Sequence, residues 1–108
     1  MSSDSLLNAL NEQMVFEAYS AYIYKAMAAY FEPLELKGFA NWLDVQTLEE
    51  MTHCERFYRF INDSGGRARF SAIDEPQGDY SSPLDAFTTA LEHEKSLPTE
   101  SISWSIWL

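Results

Sequence analysis

Two long stretches of this chain are nearly free of glycine and proline, and their apolar residues recur in alternating steps of three and four. That spacing commits most of the chain to packed α-helices. The first stretch runs from about Leu6 to Phe31, with Asp4 or Ser5 available as an N-cap and Leu7, Leu10, Met14, Glu17, Ala21, Tyr24, Ala28 and Phe31 as its inward seam. Pro33 breaks it. The second runs from about Leu36 to Asn62, along Phe39, Leu43, Gln46, Glu50, His53, Phe57 and Phe60, and Ser64, Gly65 and Gly66 stop it. With so short a turn between them, the two helices are predicted to lie antiparallel.

Residues 63–82 hold Gly65, Gly66, Gly78 and Pro76 and keep no steady period. A connection of that length needs a purpose, and running back along a bundle is one. A third helix is announced by Ser82-Pro83-Leu84-Asp85, in which serine caps, proline suits the first turn and aspartate completes a capping box. Its expected seam is Leu84, Phe87, Leu91 and Glu94, and Pro98 cuts the pattern short. From Ser101 the tail alternates serine with Ile or Trp, a strand period.

Charge narrows the function. Seventeen acidic residues against seven Lys and Arg give a net charge of −10. Such a chain lacks the basic surface that nucleic acid requires; the acidity either attracts cations or simply keeps the chain soluble by self-repulsion. The longest apolar run, Ala26 to Phe31, is too short to cross a bilayer, and residues 1–5 do not form a secretory signal. A lone cysteine, Cys54, forms no internal disulfide, which fits a reducing cytoplasm. The two histidines, His53 and His93, leave any metal site dependent on carboxylates.

The inward seams carry Glu17 on the first helix, Gln46, Glu50 and His53 on the second, and Glu94 on the third. A carboxylate in an apolar core is costly unless it is paired or binds a metal. Glu17 precedes Phe31 by fourteen positions and Glu50 follows Leu36 by fourteen. Both therefore stand roughly 21 Å from the same turn and face each other across the hairpin. His53, at i+3 from Glu50, projects from the same face. Glu50-Met51-Thr52-His53 is a Glu-x-x-His unit, whose carboxylate can bridge two metals while the imidazole binds one. Such an oxygen-rich set suits iron or manganese. Tyr24 either hydrogen-bonds a metal-bound carboxylate, donates an electron, or is a plain core residue. Glu49 holds a further ion or belongs to a solvated face. His93 is expected to be exposed, since its neighbour Glu94 takes the inward face, and Cys54 is expected to be a small buried hydrophobe.

Taken together, Leu10-Asn-Glu-Gln-Met14, Glu17-Ala-Tyr-Ser20, Glu49-Glu-Met-Thr-His53, Asp79-Tyr-Ser-Ser82 and His93-Glu94 resemble the bacterial non-haem ferritins over roughly residues 5–95. The resemblance implies that Glu17, Glu50 and His53 form one iron position of a ferroxidase centre. Glu50 would bridge to a second iron that Glu94 also binds. Tyr24 would lie beside that centre, and Glu49 would serve an accessory third iron. The implied fold is an all-α, ferritin-like four-helix bundle with a short fifth helix, assembled into a homo-oligomeric shell of twenty-four subunits. The implied activity is oxidation of Fe(II) by oxygen or peroxide and storage of the ferric product. Met51 sits where haem-binding relatives carry an axial methionine, but the crossover around Asp79 to Ser82 favours the non-haem branch, so no haem is expected.

The pattern departs from the family after about Lys95. The expected organisation is an incomplete ferritin-like bundle over 1–95, made of an antiparallel hairpin and a crossover to a third helix. A divergent tail follows over 96–108, and the fourth helix is missing. An alternative reading is a truncated, non-enzymatic helical module that assembles with partner helices, because three helices leave an apolar groove uncovered.

Overall fold

The structure, a computed structural model, describes residues 3–96. Among them are three α-helices and no strand: α1 (Ser3–Phe31), α2 (Lys37–Asp63) and α3 (Pro83–Ser96). The expected helical hairpin and crossover are present. Residues 97–108, including Pro98 and the alternating tail, lie outside the described part.

Helix α1 starts earlier than its seam suggested. Asp4 and Ser5 sit inside its first turn rather than at the cap, and the Asp4 charge complements the helix dipole there. At the other end Pro33 shapes a 3-10 turn, Glu32–Leu34, closed by Glu35 in the left-handed region at φ 59°, whose N–H donates to the Glu32 carbonyl at 3.1 Å. Helix α2 then runs back along α1. Phe31 stacks on Phe39 with ring centroids 5.4 Å apart, and Lys25 pairs with Asp44 at 2.8 Å.

The roll of α2 differs slightly from its sequence seam. Ala40, Leu43, Glu50, Cys54, Phe57 and Ile61 are buried, whereas Phe39 and Phe60 remain 41% and 39% exposed. Helix α1 is the main partner of α2, so the small Ala40 and Cys54 turn towards it. Phe39, Gln46, His53 and Phe60, seven positions apart, form a flanking stripe.

The end of α2 is a Schellman motif. Gly65, at φ 83°, donates to the Asn62 carbonyl and Gly66 to that of Ile61. A β-carbon on Gly66 would stand 2.7 Å from Cδ1 of Leu7, so the Leu7 side chain would have to shift to admit a larger residue. The crossover then follows α1. The Asn11 side chain holds it at two points, donating to the Arg67 carbonyl (3.1 Å) and accepting the Arg69 N–H (2.7 Å). It ends where Tyr80 meets Tyr30, ring centroids 5.3 Å apart.

Helix α3 has the expected cap. Oγ of Ser82 accepts the Asp85 N–H at 3.1 Å, and the Asp85 carboxylate accepts the N–H of Ser81, one residue before the cap, at 3.2 Å. Its expected seam is overturned at Leu84 and Leu91, while Phe87 and Glu94 are half-buried. Ala86 and Ala90 are fully buried, while Leu84 is 72% exposed and Leu91 43%. The two alanines pack into the cluster shared by α1 and α2, and Phe87 lies to the flank, where it meets Phe39 and Trp42. The core is two apolar clusters. Tyr24, Met27, Ala28, Phe31, Ala40, Leu43, Ala86 and Ala90 form one. Leu10, Met14, Cys54, Phe57 and Ile61 form the other. Glu17, Ser20 and Glu50 are buried in sequence positions that fall between them.

Candidate metal centre

The facing helices bring Glu17, Glu50 and His53 together, as the matched heights predict. One ligand atom from each lies within 4.8 Å of the others. Nδ1 of His53 is 4.0 Å from Oε2 of Glu17 and 3.7 Å from Oε2 of Glu50. Glu17 is fully buried, Glu50 nearly so, and the His53 side chain is 26% exposed, which leaves one side of the group open. Gln13, one turn before Glu17, donates to its Oε1 at 3.2 Å. Oε2 of Glu17 and Oε2 of Glu50 are buried and accept no hydrogen bond. Burying two acceptor oxygens in this way carries a free-energy penalty that a bound cation removes.

Electrostatics divide the two carboxyls. Burial, reinforced by the adjoining Glu50 carboxyl, pushes Glu17 up to about 9. Burial also works against ionisation of Glu50, but the His53 imidazole and the neutral Glu17 beside it hold Glu50 below the usual carboxylate range. The metal-free pair therefore keeps one proton and one negative charge at neutral pH.

Helix α3 supplies a second tier. Glu94 is not one of the close trio. Its Oε1 accepts a hydrogen bond from the Tyr24 hydroxyl at 2.9 Å. Burial raises the Glu94 carboxyl, Tyr24 acts to lower it, and the charges of Glu50 and Glu49 raise it again. Tyr24 is fully buried, and burial together with Glu94 drives its hydroxyl well above the ordinary phenol range. It is thus both a core residue and a hydrogen-bond donor to a candidate ligand. Glu49 is exposed on α2, and its charge is felt at Glu94. Gln46 is half-buried. Cys54 is a buried thiol, as expected, and burial keeps it protonated.

The expectation for His93 fails. It is half-buried, stacked on Phe16 with centroids 5.9 Å apart, edge-on to Tyr24 at 5.5 Å, and 2.9 Å from Oγ of Ser20. Adjacent helical residues do diverge, but the long His93 and Glu94 side chains both reach α1, at Ser20 and Tyr24. Burial lowers the His93 pKa, so its ring is neutral. Gln13 and Ser20 are neighbours of the site that lie off the apolar seam. Gln13 and Ser20 were marked only by standing one turn from Glu17.

Chemically, the trio offers two carboxylates and one imidazole to a cation, with Nδ1 of His53 near both carboxylates. That donor set matches iron or manganese. Residues 7–101 match the family profile of the ferritin-like domain. The bacterial non-heme ferritin of Staphylococcus aureus (strain NCTC 8325) is 42% identical over 97 residues, which cover 90% of this chain and 58% of that protein. The Staphylococcus saprophyticus protein of the same name gives the same figures. Among solved structures, an engineered closed form of the Archaeoglobus fulgidus ferritin superposes with a TM-score of 0.84 at 42% identity, covering 90% of this chain and 59% of that one. The open pore ferritin of the same archaeon gives 0.83 at 43% identity, covering 89% and 59%. The chain spans about three-fifths of the length of these relatives.

Proposed function

Since the chain belongs to the ferritin family, we propose that it binds and stores iron, oxidising Fe(II) to Fe(III) at a centre founded on Glu17, Glu50 and His53. The observation that carries this reading is the pair of buried Oε2 atoms on Glu17 and Glu50 that no donor satisfies, turned to a single imidazole. Glu17 and His53 hold the first ferrous ion, and Glu50 lies between it and a second. Glu94 supplies the far side of the second position, with Tyr24 orienting its carboxyl. Glu49 serves an accessory ion nearer the surface. Iron is the substrate here, and two Fe(II) ions deliver two electrons to oxygen or peroxide. No haem takes part. The net charge of −10 raises the local concentration of Fe(II).

Fe(II) mixed with the protein in air and followed by ferric absorbance tests the reading. Oxidation faster than buffer, and lost in Glu50→Ala, is expected. A rate equal to buffer and indifferent to Glu50→Ala overturns it.

The shell is proposed as a homo-oligomer in the cytoplasm. No helix among the described residues is long and apolar enough to cross a membrane. Phe39, Trp42 and Phe87 line an open groove of about 650 Å³, and Leu84, Leu48 and Phe70 are 72%, 67% and 63% exposed. The same groove favours the second reading, a helical module that assembles without chemistry. Assembly with no metal-dependent stabilisation would select that reading.

A further inference from the structure

We propose that His93 is a positioning residue, which through Ser20 fixes the roll of α3 on α1 and so sets the Glu94 carboxyl towards the second cation position. The proposal deepens the reading above and rests on it for the identity of that position. Helix α3 enters the cluster formed by α1 and α2 through two alanines, Ala86 and Ala90. Alanine surfaces are smooth and offer little resistance to rotation about the helix axis. Roll is therefore set by directional contacts: Phe87 meets Phe39 and Trp42 on the α2 side, and two hydrogen bonds hold α3 on the α1 side. His93 reaches Ser20 and Glu94 reaches Tyr24, each at 2.9 Å. Ser20 and Tyr24 are one turn apart on α1, and their partners are consecutive on α3, so the two contacts act from opposite flanks. Rolling α3 in either direction lengthens at least one of them.

The Ser20 contact has a defined polarity. The Ser20 hydroxyl donates its single proton to the Phe16 carbonyl at 3.0 Å, so towards His93 it accepts, and Nε2 of the ring carries the donated proton. Phe16 also stacks on the ring, which restricts its tilt. Ser20 is itself fully buried. The assembly has the form of an outer partner that orients a ligand it does not touch, and disturbing such a partner typically weakens metal binding about 10- to 100-fold.

Anaerobic Co(II) titration, read by d–d absorption, separates the two cation positions. In His93→Phe, which keeps a ring against Phe16 and loses the donor, the first Co(II) binds as in the parent protein and the second binds about tenfold or more weakly. His93→Gln, with an amide donor, recovers much of the loss. Ser20→Ala reproduces it, and the double variant is no worse than either single one. Equal loss at both positions, no loss at either, or additive effects overturns the proposal. A second measurement needs no metal. The Tyr24 hydroxyl proton, buried on Glu94, gives a slowly exchanging proton resonance that His93→Phe shifts or broadens and His93→Gln restores. If the parent protein takes no second Co(II) yet this resonance responds, the di-metal reading falls and the positioning role stands. If the resonance is indifferent to His93, the positioning role falls.

Discussion

Oε2 of Glu17 and Nδ1 of His53 stand 4.0 Å apart on facing helices. The separation is too wide for a hydrogen bond and close to twice a metal–ligand bond of about 2.1 Å. A cation seated between them touches both, and with Glu50 alongside it joins α1 to α2.

Replacing the imidazole tests that join. Anaerobic Fe(II) or Co(II) is expected to raise the melting temperature of the parent protein, as any ligand confined to the folded state does. At a free concentration of a hundred times Kd the gain is about 2.7 kcal/mol. In His53→Ala most of that gain disappears, while the metal-free melting temperature also falls somewhat, because the buried Glu50 carboxyl loses the imidazole beside it. Differential scanning calorimetry with and without metal measures both. Undiminished stabilisation in the variant would remove His53 from the ligand set.

Metal uptake also releases a proton. The metal-free Glu17 carboxyl titrates near 9 and is neutral at pH 7. A cation on its Oε2 displaces that proton, so affinity climbs about tenfold per pH unit between pH 7 and 9. Calorimetric titration in buffers of different ionisation heat counts the released proton. Flat affinity over this range would show that Glu17 is not a ligand.

The same proton governs the metal-free protein. Between about 4.5 and 9 the folded state holds a proton on Glu17 that the unfolded chain has lost. Stability from this group is complete below the unfolded value and declines as pH rises through the folded one, by about 1 kcal/mol per unit. Glu50 has the opposite sign, because its carboxyl is depressed and its contribution is lost only as pH falls. Thermal melts in chelator from pH 7 to 9 should therefore fall for the parent and stay level for Glu17→Gln. Parallel curves would mean that Glu17 is ionised throughout.

Asn11 offers a control far from this chemistry. Its amide makes two hydrogen bonds to the crossover backbone, so Asn11→Ala should cost about 1–2 kcal/mol. For a domain of this size that is a drop of several degrees in melting temperature. Binding of the first Co(II) should be unchanged, and a loss there would mean that the crossover supports the centre directly.

The hairpin and its trio were legible because both depend on long helices of fixed rise. Counting from the turn places Glu17 opposite Glu50 without any knowledge of packing. Helix α3 was not legible in the same way. Its large apolar residues suggested Leu84, Phe87 and Leu91 as the buried face, whereas the fully buried positions are Ala86 and Ala90. Size misleads where a helix enters a core through its smallest residues. The error carried over to His93, whose burial follows from a contact with α1 that no periodicity encodes. Ser20 and Gln13 were hidden for a different reason, since short polar residues on a helix commonly face solvent or bond to their own backbone.

The division of the core into two apolar clusters has a consequence for how the proposed metal loading would change the chain's stability. A helical pair with a band of acids across its middle has a weak waist, and each half can loosen without the other. Loading that waist with cations couples the halves, so amide exchange in the Leu10–Phe57–Ile61 block and in the Tyr24–Leu43–Ala90 block would converge on one rate. The cargo would then act as a spine, and an iron-starved subunit would be the softer target for proteolysis.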